Sequence, residues 1–175
     1  MHDTKVKQAG ENERHTLTVL VDNEAGVLAR VVGLFSGRGY NIESLTVAEV
    51  DPMARTSRIT IVTSGTPHVI EQIETQLRRL VPTHGVTNWT SAKAGIEREM
   101  ALIKVAGTGD KRVEALRMAD AFRARPVDTT HASFVFEITG APSKIDSFID
   151  LMRPLGLVDV SRTGVAAISR GPEAM

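Results

Sequence analysis

Residues 15–22 (HTLTVLVD) alternate, with Leu17, Val19 and Val21 on one face and Thr16, Thr18 and Leu20 on the other. A period of two predicts a strand. From residue 27 the period lengthens. Val27, Leu28, Val31, Leu34 and Phe35 recur at helical spacing. Gly39 is placed to end that helix in the left-handed conformation that glycine adopts freely. Residues 42–50 read as a second strand, 51–57 (DPMARTS) as a loop and 58–63 (RITIVT) as a third strand. Thr66-Pro67 opens a second helix, since threonine caps and proline fits the first turn. Val69, Ile70, Ile73, Leu77 and Leu80 form its apolar face, Pro82 ends it, and residues 85–90 read as a short fourth strand.

The order then recurs. Residues 100–106 (MALIKVA) predict a strand, and Asp110 is placed to cap a helix carrying Val113, Leu116, Ala119 and Phe122 inward. Residues 126–130 and 133–139 (SFVFEIT) predict two more strands. Pro142 starts a helix with Ile145, Phe148, Ile149 and Met152 inward, and residues 157–161 form the last strand expected. Both halves read βαββαβ, an internal repeat of architecture. The polar, small stretch 91–99 (SAKAGIERE) is the expected boundary. Halves of about 75 residues are near the lower limit for an independent core. Open antiparallel sheets with helices on one face also leave edges that pairing with a second copy would satisfy.

Composition narrows the chemistry. Apolar residues make up 42% and charged residues 24%, with net charge zero. No general basic field exists to hold nucleic acid or an anionic membrane, and 4% aromatics are too few for a base-stacking platform. No apolar run is long enough for a membrane span. The polar first stretch, residues 1–14, reads as a flexible arm rather than a signal peptide. The lack of cysteine removes thiolate chemistry and fits a cytoplasmic protein. The five histidines are scattered without metal-ligand spacing. Gly107-Thr108-Gly109 is an incomplete phosphate-loop pattern and reads as a turn. No nucleophile–base constellation stands out, so no catalytic residue is assigned.

The first helix has unusual ends: Asn23-Glu24-Ala25-Gly26 before it, and Gly37-Arg38-Gly39 at its close. A helix start offers free N–H groups and a positive dipole end, suited to a carboxylate. Gly26 would admit close approach to the backbone, and Asn23 would either accept from a ligand's ammonium or cap the helix. Asn41 and Ile42, with Leu45, could come from a partner subunit to close such a site. In the plainer alternative, Asn23 caps, Gly26 turns and Asn41 tolerates turn geometry.

The segment LTVLVDNEAGVLARVVGLFSGRGYNIESLTVA, followed by SRITIVTSG, VIEQIETQLRRLV, IEREMALIKV and SRTGVAAISRG, resembles the small regulatory subunit of acetolactate synthase (acetohydroxyacid synthase) over residues 14–171. The resemblance implies an α+β fold of two tandem ferredoxin-like βαββαβ domains. Residues 15–92 would be an amino-acid-sensing ACT domain and residues 97–171 a C-terminal regulatory domain. It implies a non-catalytic subunit that pairs with itself through its ACT domains. Such a subunit activates a large catalytic subunit carrying thiamine diphosphate, Mg and FAD. It also confers feedback inhibition by valine, or by leucine or isoleucine, on branched-chain amino acid synthesis. Carried over by position, Asn23, Gly26, Asn41 and Ile42 match the family's valine-site positions, and Ala25 and Val27 lie in the same loop. The N-terminal arm extends beyond the family's compact start, and there is one ACT unit rather than a tandem pair. The competing reading is a free-standing amino-acid-binding ACT dimer that controls another enzyme or a transcription factor.

Overall fold

A computed structural model of the chain describes residues 11–92, 95–172 and 174. The elements are β1 (Glu13–Asp22), α1 (Val27–Arg38), β2 (Ser44–Asp51), β3 (Thr56–Gly65), α2 (Pro67–Arg79), β4 (Thr83–Asn88) and a short turn α3 (Trp89–Ala92). Then follow β5 (Gly95–Ala106), α4 (Gly109–Ala121), β6 (Arg125–Thr129), β7 (Ser133–Gly140), α5 (Pro142–Gly156), β8 (Leu157–Arg162) and β9 (Ala166–Ser169). The described residues form two compact units: those from 11 to 96 together with those from 167 onward, and residues 97–166.

The first unit carries an antiparallel sheet ordered β2-β3-β1-β4. The alternation in β1 sets its core. Leu17, Val19 and Val21 are buried with Ile59 and Ile61 of β3 against Val27, Val31 and Phe35 of α1 and Ile70, Ile73 and Leu77 of α2. Thr66 caps α2 as its sequence predicts, its hydroxyl accepting from the Val69 N–H at 3.4 Å. We expect Thr66→Ala to cost about 1 kcal/mol, read as a lower urea midpoint at unchanged slope. The other face of β1 is covered as well. Thr16 and Thr18 are buried, and the Trp89 indole N–H of α3 donates to the Thr18 hydroxyl at 2.7 Å. The expectation of helices on one face therefore holds for α1 and α2, while α3 lies on the other.

The second unit repeats the plan, with its sheet ordered β6-β7-β5-β8. The α5 face is the one expected: Ile145, Phe148, Ile149 and Met152 are buried. For α4 the face is rotated from expectation. Ala115 and Ala119 are buried, Phe122 packs on the core, and Val113 and Leu116 are half exposed. The small side chains let α4 approach a core already filled by Phe134, Phe136 and Phe148. Asp110 sits in the first turn of α4 but does not cap it; Thr108 holds the cap position. Residues 13–14 belong to β1, and Gly95 to Glu99 belong to β5, so neither the expected arm nor the expected boundary is irregular there. Residues 11 and 12 have no regular structure, and residues 1–10 of the arm lie outside the described residues.

Candidate functional site

The β1–α1 junction is held by backbone bonds on both sides. The Asp22 N–H donates to the Pro82 carbonyl at 3.2 Å, and the Asn23 N–H donates to the Arg55 carbonyl at 2.6 Å. The Asn23 side-chain amide donates to Glu49 Oε1 at 3.0 Å, near the end of β2. Asn23 therefore does not cap α1. Gly26 holds the cap position at φ +86° with no side-chain hydrogen bond, and no acidic residue lies in the first turn. The positive end of this helix has no side-chain partner of its own, which is the condition for anion binding. A Cβ at Gly26 would meet nothing within 4 Å, so glycine is needed there for its backbone angle and faces open space. Ala25 is exposed, whereas the Val27 side chain is buried in the core, leaving Val27 only its backbone to offer. Arg30 donates to the Val81 carbonyl at 3.0 Å, and His84 Nε2 lies 2.5 Å from Asp22 Oδ1 beside the same junction.

Asn41 and Ile42 stand elsewhere. Gly39 closes α1 at φ +71°, as expected from its position. The segment then enters β2: the Tyr40 N–H donates to Phe35 and the Glu43 N–H to Val62. Between them, the Asn41 carbonyl accepts from the buried Thr63 hydroxyl at 2.6 Å. Asn41 is exposed, and Ile42 is half-buried against the core.

The six candidate residues thus fall into two groups that do not meet within one chain. Twelve residues of α1 separate them, about 18 Å at 1.5 Å per residue. Their anchors on β3, next to Thr56 and at Thr63, are seven steps apart, about 23 Å at the usual strand rise. A free amino acid is far shorter. Among the described residues β2 is the outer strand of its sheet, next to β3, with Val47 and Val50 half exposed. Antiparallel pairing of two such edges about a two-fold axis reverses strand direction. It would set one chain's Asn41 end of β2 beside the other chain's Glu49 end, where Asn23 and Gly26 lie. Sequence reasoning did not find Glu49, Arg55 or Thr63. Only Thr63 carries a sequence signal, as a hydroxyl in the inward row after Ile59 and Ile61.

Among the described residues, no three His, Asp or Glu side chains converge to hold a metal ion, and no helix is long and apolar enough to cross a membrane.

Residues 17–84, which form this βαββαβ unit, match the family model described as "AHAS small subunit-like ACT domain", so the unit is of the ACT type. Residues 98–171 match the one described as "Small subunit of acetolactate synthase". The Haemophilus influenzae acetolactate synthase small subunit is 45% identical over 159 residues, covering 90% of this chain and 96% of that one. The isozyme 3 small subunit of Escherichia coli is 43% identical over 163 residues, covering 93% and 99%. The crystal structure of the Thermotoga maritima small subunit aligns with TM-score 0.79 at 38% identity, covering 92% of this chain and 99% of that one. The chain belongs to the acetolactate synthase small-subunit family.

Proposed function

We propose that this chain activates the large, thiamine-diphosphate-dependent subunit of acetolactate synthase and makes it sensitive to valine. In this reading residues 15–92 sense the amino acid and residues 97–171 form the C-terminal regulatory domain. Thiamine diphosphate, Mg and FAD belong to the large subunit. The observation that carries the proposal is the uncapped start of α1 at Gly26, with Asn23 fixed beside it by Arg55 and Glu49. Valine's carboxylate would take the first-turn N–H groups, and the Asn23 carbonyl oxygen would accept from its ammonium. Asn41 and Ile42 of a second copy would close over the side chain. Both charges of the zwitterion are then matched, as burial requires. Coupling of about 1–3 kcal/mol between this site and the large subunit gives a several-fold to hundred-fold response.

The test is acetolactate formation from pyruvate by the cognate large subunit, alone, with this chain, and with this chain plus valine. The expected order is low, high, low, with no activity from this chain by itself. Equal rates with and without this chain would contradict the proposal. The free-standing alternative has less support, because relatives that match almost end to end are named as subunits of this enzyme.

A further inference from the structure

We infer that Thr63 is a positioning residue of the effector site. It acts through Asn41 and sets the sensitivity of the subunit to its amino acid. The inference rests on the effector site proposed above.

Thr63 belongs to β3 and is fully buried. It follows Ile59 and Ile61 in the row of β3 that faces the helices, opposite His15 of β1. An apolar β-branched residue would suit that row, and valine would fill nearly the same volume. The hydroxyl is spent on one bond, 2.6 Å to the Asn41 carbonyl. That bond crosses from the rigid third strand to the exposed segment between α1 and β2. The flanking residues have anchors of their own: Tyr40 and Glu43 through their backbone N–H groups, the Tyr40 hydroxyl to Gln72, and the Glu43 carboxylate to Arg14 and Ser64. None of these controls the peptide plane between Asn41 and Ile42, whose carbonyl Thr63 holds. Rotation of that plane would redirect both residues, and these are the two that a second chain would present to the ligand. A site assembled across two chains tolerates little misplacement, because each side must arrive already oriented.

The chemistry of the change favours a clean separation of effects. Asn41 is exposed, so its carbonyl can turn to water once the hydroxyl is gone. A methyl in the hydroxyl's place would crowd that carbonyl at 2.6 Å and drive it to turn away. Folding should therefore change little, while the orientation of Asn41 and Ile42 is lost.

The experiment uses the full-length chain with its cognate large subunit. Thr63→Val, Thr63→Ser and Gly26→Asp are compared with the unaltered chain. The readings are the valine concentration for half inhibition, the degree of activation, and the melting temperature without ligand. We expect Thr63→Val to raise the half-inhibitory concentration about five- to tenfold, the scale of one lost hydrogen bond. Activation and melting temperature should stay near the unaltered values, and Thr63→Ser, which keeps the hydroxyl, should retain most of the sensitivity. An unchanged valine response in Thr63→Val, with Gly26→Asp insensitive, overturns the role of Thr63 and leaves the effector site standing. A parallel fall in melting temperature, activation and sensitivity also overturns it, by showing a purely structural residue. Full sensitivity in Gly26→Asp overturns the site itself, and this inference with it.

Discussion

Gly26→Asp is expected to abolish feedback by valine while the subunit still folds and activates. The backbone at Gly26 is left-handed, at φ +86°, which costs most side chains about 1–2 kcal/mol. Aspartate is among the residues that tolerate that region best. Space is not limiting, since an added Cβ meets nothing within 4 Å. What changes is the electrostatics of the first turn. The new carboxylate would bond the N–H groups that valine's carboxylate needs, and would repel that carboxylate as well. A hydrogen bond to a charged group contributes about 1.5–3 kcal/mol. Losing two such bonds raises the half-inhibitory valine concentration by roughly a hundredfold or more. An inhibition curve on the reconstituted enzyme measures this, and a ligand-free melt confirms that the chain is folded. Unchanged sensitivity would remove Gly26 from the site.

The largest loss of stability is expected from Arg162→Ala, in the second unit. Arg162 makes a two-pronged ion pair with Glu99, at 2.6 and 2.7 Å, and reaches Asp146 at 2.7 Å. The Glu99 side chain is only 4% exposed, so removing the guanidinium leaves a buried carboxylate without its counter-charge. Breaking a buried pair from one side costs about 3–5 kcal/mol. That is enough to lower the melting temperature of this unit by well over ten degrees. The double change Glu99→Leu with Arg162→Met should recover much of the loss, because replacing both charges by apolar groups is often neutral. The bond to Glu99, above all, holds the Arg162 guanidinium above its ordinary range, with Asp146 adding to the effect. A raised cation contributes fully below its ordinary value and loses that contribution only as pH rises through the folded one. Alkaline conditions in which the protein survives therefore leave Arg162 charged. Thermal melts of the single and double variants at neutral pH settle the point. A single variant that melts like the parent would contradict it.

The architecture was legible where one physical signal dominated. The two periods, and the Thr66-Pro67 and Pro142 helix starts, place α2 and α5 close to where they stand. Gly39 closes α1 as its lack of a Cβ suggests. Legibility failed where packing overrides pattern. In α4 the larger side chains, Val113 and Leu116, drew the inward face toward themselves, but it is Ala115 and Ala119 that are buried against the Phe134 and Phe136 layer. β9 is four residues long and follows an irregular stretch, too short for alternation to reveal. α3 was hidden because Trp89 read as the end of a strand, whereas its indole folds over the threonine face of β1. Glu99 looked like part of a polar boundary, yet it is buried, since its partner Arg162 is 63 residues away and invisible to any local reading. At the candidate site, Gly26 was visible as a bare residue at a helix start, and Asn23 and Asn41 through the family resemblance. The partners that fix them, Glu49, Arg55 and Thr63, come from strand register, which periodicity alone does not specify.

The proposed amino-acid site is assembled from two chains, with Asn23 and Gly26 from one and Asn41 and Ile42 from the other. The most direct measurement pairs Gly26→Asp, on one affinity tag, with Asn41→Ala, on another, and determines valine binding to the purified mixed dimer by calorimetry. Each variant alone should bind no valine at concentrations that saturate the parent. In the mixed dimer, both lesions fall on one site and the other site is intact. Parent-like affinity at half the parent stoichiometry is therefore expected. A mixed dimer that binds no valine would contradict a site shared between two chains.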